Sequence, residues 1–288
     1  MFDKIQHFFD TVNQKGGVVL VILVVCVAAY FLITKKSGNK YRKQLFGTRK
    51  IEEQGTDIPL DGDLLPAYFI LENQERVFPC SGNLLHAYFV RWILEGRIEI
   101  RESVPDQPYT VYIFPEKGTP EGEYEKWEFK DLKKAADPDL MLTRYKCYKW
   151  GQDEHVAHCD RKEQQILWFE KHHFVQKEKL VNVVLTPEGA AEARKVVALE
   201  NYLNALIAGT ATLEPDPDRI AYYIQFAILC DKWKDFKIVL PKYKDACARL
   251  AELLKCSPDK VVNTIEDACL TIEQIDEGDY DANDSERD

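Results

Sequence analysis

The chain has 288 residues, 45% of them apolar and 30% charged, with a net charge of -10 at pH 7. That length and apolar content can bury a core without staples, so eight cysteines are too sparse to signal a disulfide scaffold. No C-x-x-C pair marks a redox motif or zinc ribbon, and the acidic balance does not match the basic face of a nucleic-acid reader.

Residues 1–15 carry Asp3, Lys4, Asp10 and Lys15 and hence no net charge. Phe2, Ile5, Phe8, Phe9 and Val12 recur there at helical spacing, which predicts either a short amphipathic segment at an interface or an unstructured stub. Residues 16–34 (GGVVLVILVVCVAAYFLIT) hold no charge and are long enough at helical rise to cross a hydrocarbon core of about 30 Å. They predict a transmembrane helix. A cleaved signal peptide fits poorly, because its positive leading region and small-residue cleavage site are both missing.

Lys35, Lys36, Lys40, Arg42, Lys43, Arg49 and Lys50 follow with no acid among them. Such a collar stays on the cytoplasmic side and lies against anionic head groups. The expected arrangement is a cell-membrane protein with its N-terminus outside and everything beyond the collar in the cytoplasm. The collar contributes +7 and residues 271–288 contribute -7, which leaves -10 for residues 51–270.

Residues 35–63 read as a basic juxtamembrane segment and a polar linker. Leu64 to Asn73 then predicts a short helix. Ser81 is a plausible N-cap for a second helix through Leu84, Leu85, Tyr88, Phe89, Trp92 and Ile93, with Gly96 at its left-handed end. Beyond Gly96 the period changes from helical to alternating. Residues 97–101 and 110–114 predict a β-hairpin, so that 64–120 has the helix, helix, hairpin order of a winged-helix-like unit.

A second winged-helix-like unit is expected over 121–210. Its elements are helices over 125–136, 137–148 and 163–173, the last with Ile166, Leu167 and Phe169 inward, and a strand over 180–185. Thr186 then caps a long helix with Pro187 and Glu188 in its first turn, a buried stripe of Ala193, Val196, Leu199, Leu203 and Leu206, and Gly209 at its end. Residues 211–274 read as further helices. One starts at Asp216 and Pro217 and buries Ile220, Tyr223, Ile224 and Ala227; another runs from Trp233 to Leu240 and stops at Pro241. A last one, capped by Ser257 and Pro258, includes Val261, Ile265 and Leu270. Residues 275–288 are acidic and poor in apolar groups, which predicts a disordered tail. The fold class expected is α+β, mostly helical, behind one transmembrane helix.

The runs LTPEGAAEARKVVALENYLNAL (185–206) and IAYYIQFAILCDKWKDF (220–236), with LLHAYFVRWILEGRIEI (84–100), resemble the C-terminal cytoplasmic region of the YciQ-like family of predicted bacterial membrane proteins. The likeness covers residues 64–245. Ala227-Ile228-Leu229-Cys230 stands where the family has an A-x-L-G run, and the large extracytoplasmic domain of longer members has no counterpart here. The family has no established activity, so the resemblance implies topology and fold rather than chemistry.

Cys147, His155, His158 and Cys159 have zinc-ligand chemistry, with His172 and His173 further on, and His155 and His158 share a helical face. Cys147 is eight residues from His155, however, and no close ligand pair repeats. No catalytic residue and no cofactor is expected from motifs, since the phosphate-loop, dinucleotide, zincin and nucleophile-elbow patterns are missing. The expected function is a non-enzymatic interaction module, with the lipid bilayer and another (membrane) protein as partners. Two alternatives differ in class. One is a membrane-tethered DNA-binding transcription regulator, for which the helix over 82–95 offers only Asn83, His86 and Arg91 as readers. The other is a zinc protein or enzyme using the region from Cys147 to His173.

Overall fold

The computed structural model describes residues 52–72, 83–101, 110–115, 118–136, 139–153, 167–178 and 182–280. The expected amphipathic segment, membrane span and cationic collar lie outside them. Among the described residues, no helix is long and apolar enough to cross a membrane.

The described body is α+β and mostly helical. It comprises α1 (Leu64–Glu72), α2 (Asn83–Leu94), β1 (Glu99–Arg101), β2 (Val111–Ile113), α3 (Glu123–Ala136), β3 (Met141–Leu142), α4 (Arg144–Asp153) and α5, of which 167–171 are described. There follow β4 (Val175–Glu178), β5 (Asn182–Leu185), α6 (Pro187–Ala208), α7 (Ile220–Leu229), α8 (Trp233–Val239), α9 (Lys244–Leu254) and α10 (Val261–Tyr280).

The predicted hairpin forms, with Ile100 opposite Tyr112 in an antiparallel register. A third strand joins it. Met141 and Leu142, expected inside a helix, pair with Ile113 and Tyr112, and Leu140 before them takes a left-handed φ of 58°. That residue breaks the helical path, so α4 starts only at Arg144. The three strands therefore bridge the two units read from the sequence: β1 and β2 come from the first, β3 from the second. The strand expected over 180–185 is β5, and its partner β4 carried no sequence prediction.

α2 is the centre of the core. Leu84, Ala87, Tyr88, Phe89, Val90, Trp92, Ile93 and Leu94 are all buried, because α1, α7, α9 and α10 pack around it. Aromatic edges lock it to its neighbours: Trp92 meets Phe129 of α3 edge-on at 5.0 Å, and Phe89 meets Tyr112 of β2 likewise. Gly96 ends the chain's turn after α2 with φ 69°, as its position predicts.

α6 follows its sequence signals closely. The Thr186 hydroxyl accepts from the Gly189 N–H at 3.1 Å, Pro187 opens the helix, and Gly209 ends it with φ 70°. Gly189 is required for another reason: a Cβ there would lie 2.2 Å from the Phe174 carbonyl oxygen. The predicted stripe from Ala193 to Leu206 is buried.

Three expectations are corrected. Residues 52–63, read as a linker, are docked on α6 and α7 before turning at Leu60–Gly62: the Gly55 N–H donates to Ala198 O at 3.0 Å, and the Tyr223 hydroxyl donates to Thr56 O at 2.8 Å. Leu167 is 48% exposed and Leu270 40% exposed, whereas Phe169, Val261 and Ile265 are buried as expected, so one position of each expected stripe lies off the inward face. The last helix continues to Tyr280, past the start of the expected disordered tail. α9, with no sequence prediction of its own, packs on α10 and α2. Asp267 of α10 accepts from the Tyr112 hydroxyl at 3.0 Å and from Arg144, tying the C-terminal helix to both the sheet and α4.

Candidate functional site

The candidate site is a cavity of about 630 Å³ where four separate pieces of chain meet: the turn before α1, the outer face of α2, the start of α3, and α5. That volume lies within the range of roughly 300–1,000 Å³ typical of small-ligand pockets.

The turn is conformationally costly. Leu60 (φ 55°), Asp61 (φ 53°) and Gly62 (φ 81°) are three consecutive left-handed residues, of which only the glycine adopts that state freely. Surrounding bonds hold it: the Leu60 N–H donates to Glu192 of α6 at 2.8 Å, and the Gly62 carbonyl accepts from Arg91 at 3.2 Å. The turn thereby delivers Asp63 as N-cap of α1, with Oδ1 accepting from the Leu65 N–H at 3.1 Å. Its other oxygen accepts from the indole N–H of Trp168 at 2.6 Å. Burial pushes the Asp63 carboxyl above its usual range, against the pull of these two donors and of Arg91.

A second carboxyl, this one buried, shares the lining. Glu125, in the first turn of α3, accepts from the Trp92 indole at 2.8 Å and lies 3.7 Å from the Arg91 guanidinium. Burial raises its pKa as well. Arg91 also donates to Glu95 at 2.8 Å, and Arg97 donates to the carbonyls of Gly118 and Thr119 at 3.0 and 2.9 Å. The rim is aromatic: His172 stacks on Trp168 with ring centres 3.9 Å apart.

Tyr88 belongs to the same lining, wholly buried at 0% exposure, and among the described residues its hydroxyl has no hydrogen-bond partner. Burial, then the fields of Asp63 and Glu125, hold that phenol protonated far above its ordinary pKa.

The residues singled out from the sequence fall elsewhere. Cys147 is buried on α4, and burial pushes its thiol up to about 12, which disfavours the thiolate that a metal requires. His155, His158 and Cys159 lie outside the described residues, as do Lys35, Lys36, Lys40, Arg42, Lys43, Arg49 and Lys50. Among the described residues, no group of three or more His, Cys, Asp or Glu side chains is placed to hold a metal ion. Of the three proposed base readers, Arg91 is held inward by Gly62, Glu95 and Glu125.

Sequence reasoning missed Asp63, Glu125 and Trp168. They are 62 and 43 positions apart in the chain and belong to no spaced motif; only the composition of each local segment was visible. No protein-family model, curated protein or solved structure matches the chain.

Proposed function

We propose that this is a single-pass membrane-anchored protein whose body is a cytoplasmic interaction domain, winged-helix-like in element order, that recognises a partner protein without catalysing a reaction. The nineteen uncharged residues 16–34 and the seven cations behind them support the anchoring and its direction. The order α1, α2, β1, β2, repeated more loosely as α3, β3, α4, α5, β4, β5, supports the winged-helix likeness.

One observation carries the non-catalytic reading. In this cavity the most enclosed groups with the chemistry of a nucleophile or base are committed or suppressed. Both oxygens of Asp63 accept hydrogen bonds, Glu125 is held by Trp92 and Arg91, and the Tyr88 phenol is locked in its protonated form. A nucleophile needs a free base within hydrogen-bond reach, and Asp63, Glu125 and Tyr88 do not supply such a pair, which supports recognition over catalysis. Burial of α2 favours protein over nucleic acid as the partner. In a DNA-reading winged helix the second helix of such a unit lies in the major groove, whereas α2 is enclosed by four other helices.

The test has two arms. Alkaline washing should leave the full chain in the membrane fraction, with a C-terminal reporter active inside the cell. Crosslinking in intact membranes followed by affinity capture should then yield a stoichiometric protein partner. Release by the wash, or a reporter active only outside, overturns the topology; a monomeric, uncrosslinked chain overturns the interaction reading.

A further inference from the structure

The cavity between the turn before α1, α2, α3 and α5 has an unbalanced charge. Six acidic residues line it against Arg91, Arg97 and Lys171, a residual of -3 with His172 neutral. Both arginines are already engaged, sharing Glu95 between them and sending their remaining donors to Gly62, Gly118 and Thr119. Among the described residues Lys171 makes no such internal pair, and it is exposed, where solvent and salt screen it.

The Tyr88 hydroxyl is a second, independent pointer to a ligand. A phenol at 0% exposure normally finds a partner, because an orphaned polar group keeps its desolvation cost. It belongs to the cavity lining, in the fields of Asp63 and Glu125. Two carboxyls and a phenol oxygen, from the turn before α1, from α2 and from α3, thus belong to one lining and lie within one another's electrostatic reach. The left-handed backbone at Leu60 and Asp61 holds the first of them in place, and such strain concentrates at functional sites.

We propose that the cavity binds a cationic hydrogen-bond donor, an amine or guanidinium group, whose N–H protons go to Asp63, Glu125 and the Tyr88 oxygen. The apolar part of that ligand lies against Leu65 and the indole of Trp168, a surface that also attracts a cation electrostatically. This inference deepens the reading of the body as a binding module. Its ligand group belongs either to an Arg or Lys side chain of the partner polypeptide or to a free small amine.

Calorimetric titration of the full-length protein in lipid nanodiscs tests it, with three probes: agmatine, a blocked tripeptide with central arginine, and the same tripeptide with citrulline, which keeps the shape and removes the charge. Saturable binding of agmatine or the arginine peptide, with none of the citrulline peptide, is expected. Agmatine alone identifies a small amine as the source; the peptide binding more tightly identifies a partner side chain.

Tyr88→Phe keeps the ring and its packing and should weaken binding about tenfold. Lys171→Gln removes the competing cation and should tighten it several-fold, a gain that a purely structural role would not give. The proposal is overturned if neither cation binds at millimolar concentration to folded protein, if the citrulline peptide binds equally, or if both variants bind like the parent. The membrane crosslinking described above reports separately on the binding-module reading, so a captured partner with no cation binding condemns the cavity assignment alone.

Discussion

The indole N–H of Trp168 donates to Oδ2 of Asp63 at 2.6 Å, joining residues 105 positions apart. This one bond couples α5, at the rim of the cavity, to the strained turn that starts the described core. Trp168→Phe should therefore leave a part-buried carboxyl oxygen without its donor while preserving most of the ring contact with Phe169 and His172. The expected loss is about 1–3 kcal/mol in urea unfolding of the full chain. A loss below about 0.5 kcal/mol would mean that solvent replaces the indole and that the rim is looser than described.

Removing the Tyr88 hydroxyl should have the opposite sign. Tyr88→Phe keeps the stacking on Trp92 at 5.8 Å and deletes a polar atom that the fold leaves unpartnered. Stability should hold or rise by up to about 1 kcal/mol, whereas loss of a satisfied buried hydroxyl would cost about that much. Parallel unfolding curves of parent and variant decide between the two.

The raised carboxyls give the body an unusual acid-side dependence. Asp63 and Glu125 both titrate higher folded than unfolded, where Asp and Glu have values near about 3.9 and 4.3. The folded state thus holds their protons more tightly. Their contribution to stability is complete below the unfolded values and is lost as pH rises through the folded ones. Around them stand Arg91, Glu95 and Tyr88 of α2, Trp168 and His172 of α5 and the indole of Trp92, and the two carboxyls also lie within each other's electrostatic reach. Glu125→Gln cannot ionise and should gain on the parent as pH rises from about 4. A parent-minus-variant difference flat with pH over that range would show that Arg91 and Trp92 fully offset the burial.

The junction of β5 and α6 provides a stringent test of backbone fit. Gly189→Ala would drive a methyl into the Phe174 carbonyl at 2.2 Å, a backbone atom that cannot swing aside. The expected cost is about 3 kcal/mol or more, with the β4–β5 hairpin displaced. Thr186→Ala, which removes only the cap and its bond to the His173 carbonyl, should cost about 1 kcal/mol. Equal effects of the two substitutions would argue against the close approach.

The legibility of this protein followed the range of the interactions involved. α6 was readable residue by residue, because Thr186, Pro187 and Gly209 act within a turn of where they stand and its apolar stripe repeats at 3.6 residues. β3 was not, since two residues form a strand only when β2 lies beside them, and Leu140 has no side-chain signal for its left-handed backbone. The docking of residues 52–63 was equally hidden: Gly55, Thr56 and Glu53 engage α6 and α7 through backbone atoms, which leave no mark on side-chain polarity.

The sequence by itself determined what depends on local chemistry: the uncharged run at 16–34, the cations after it, the helix caps, the first hairpin, and a mostly helical α+β body. Only the tertiary structure decided that α2 is packed by α1, α7, α9 and α10, that β3 bridges two expected units, and that Asp63, Tyr88, Glu125 and Trp168 share a cavity. The physical reason is that desolvation and hydrogen bonding depend on which atoms are near in space. For groups brought from four segments of the chain, that nearness comes from packing, and no spacing along the sequence encodes it.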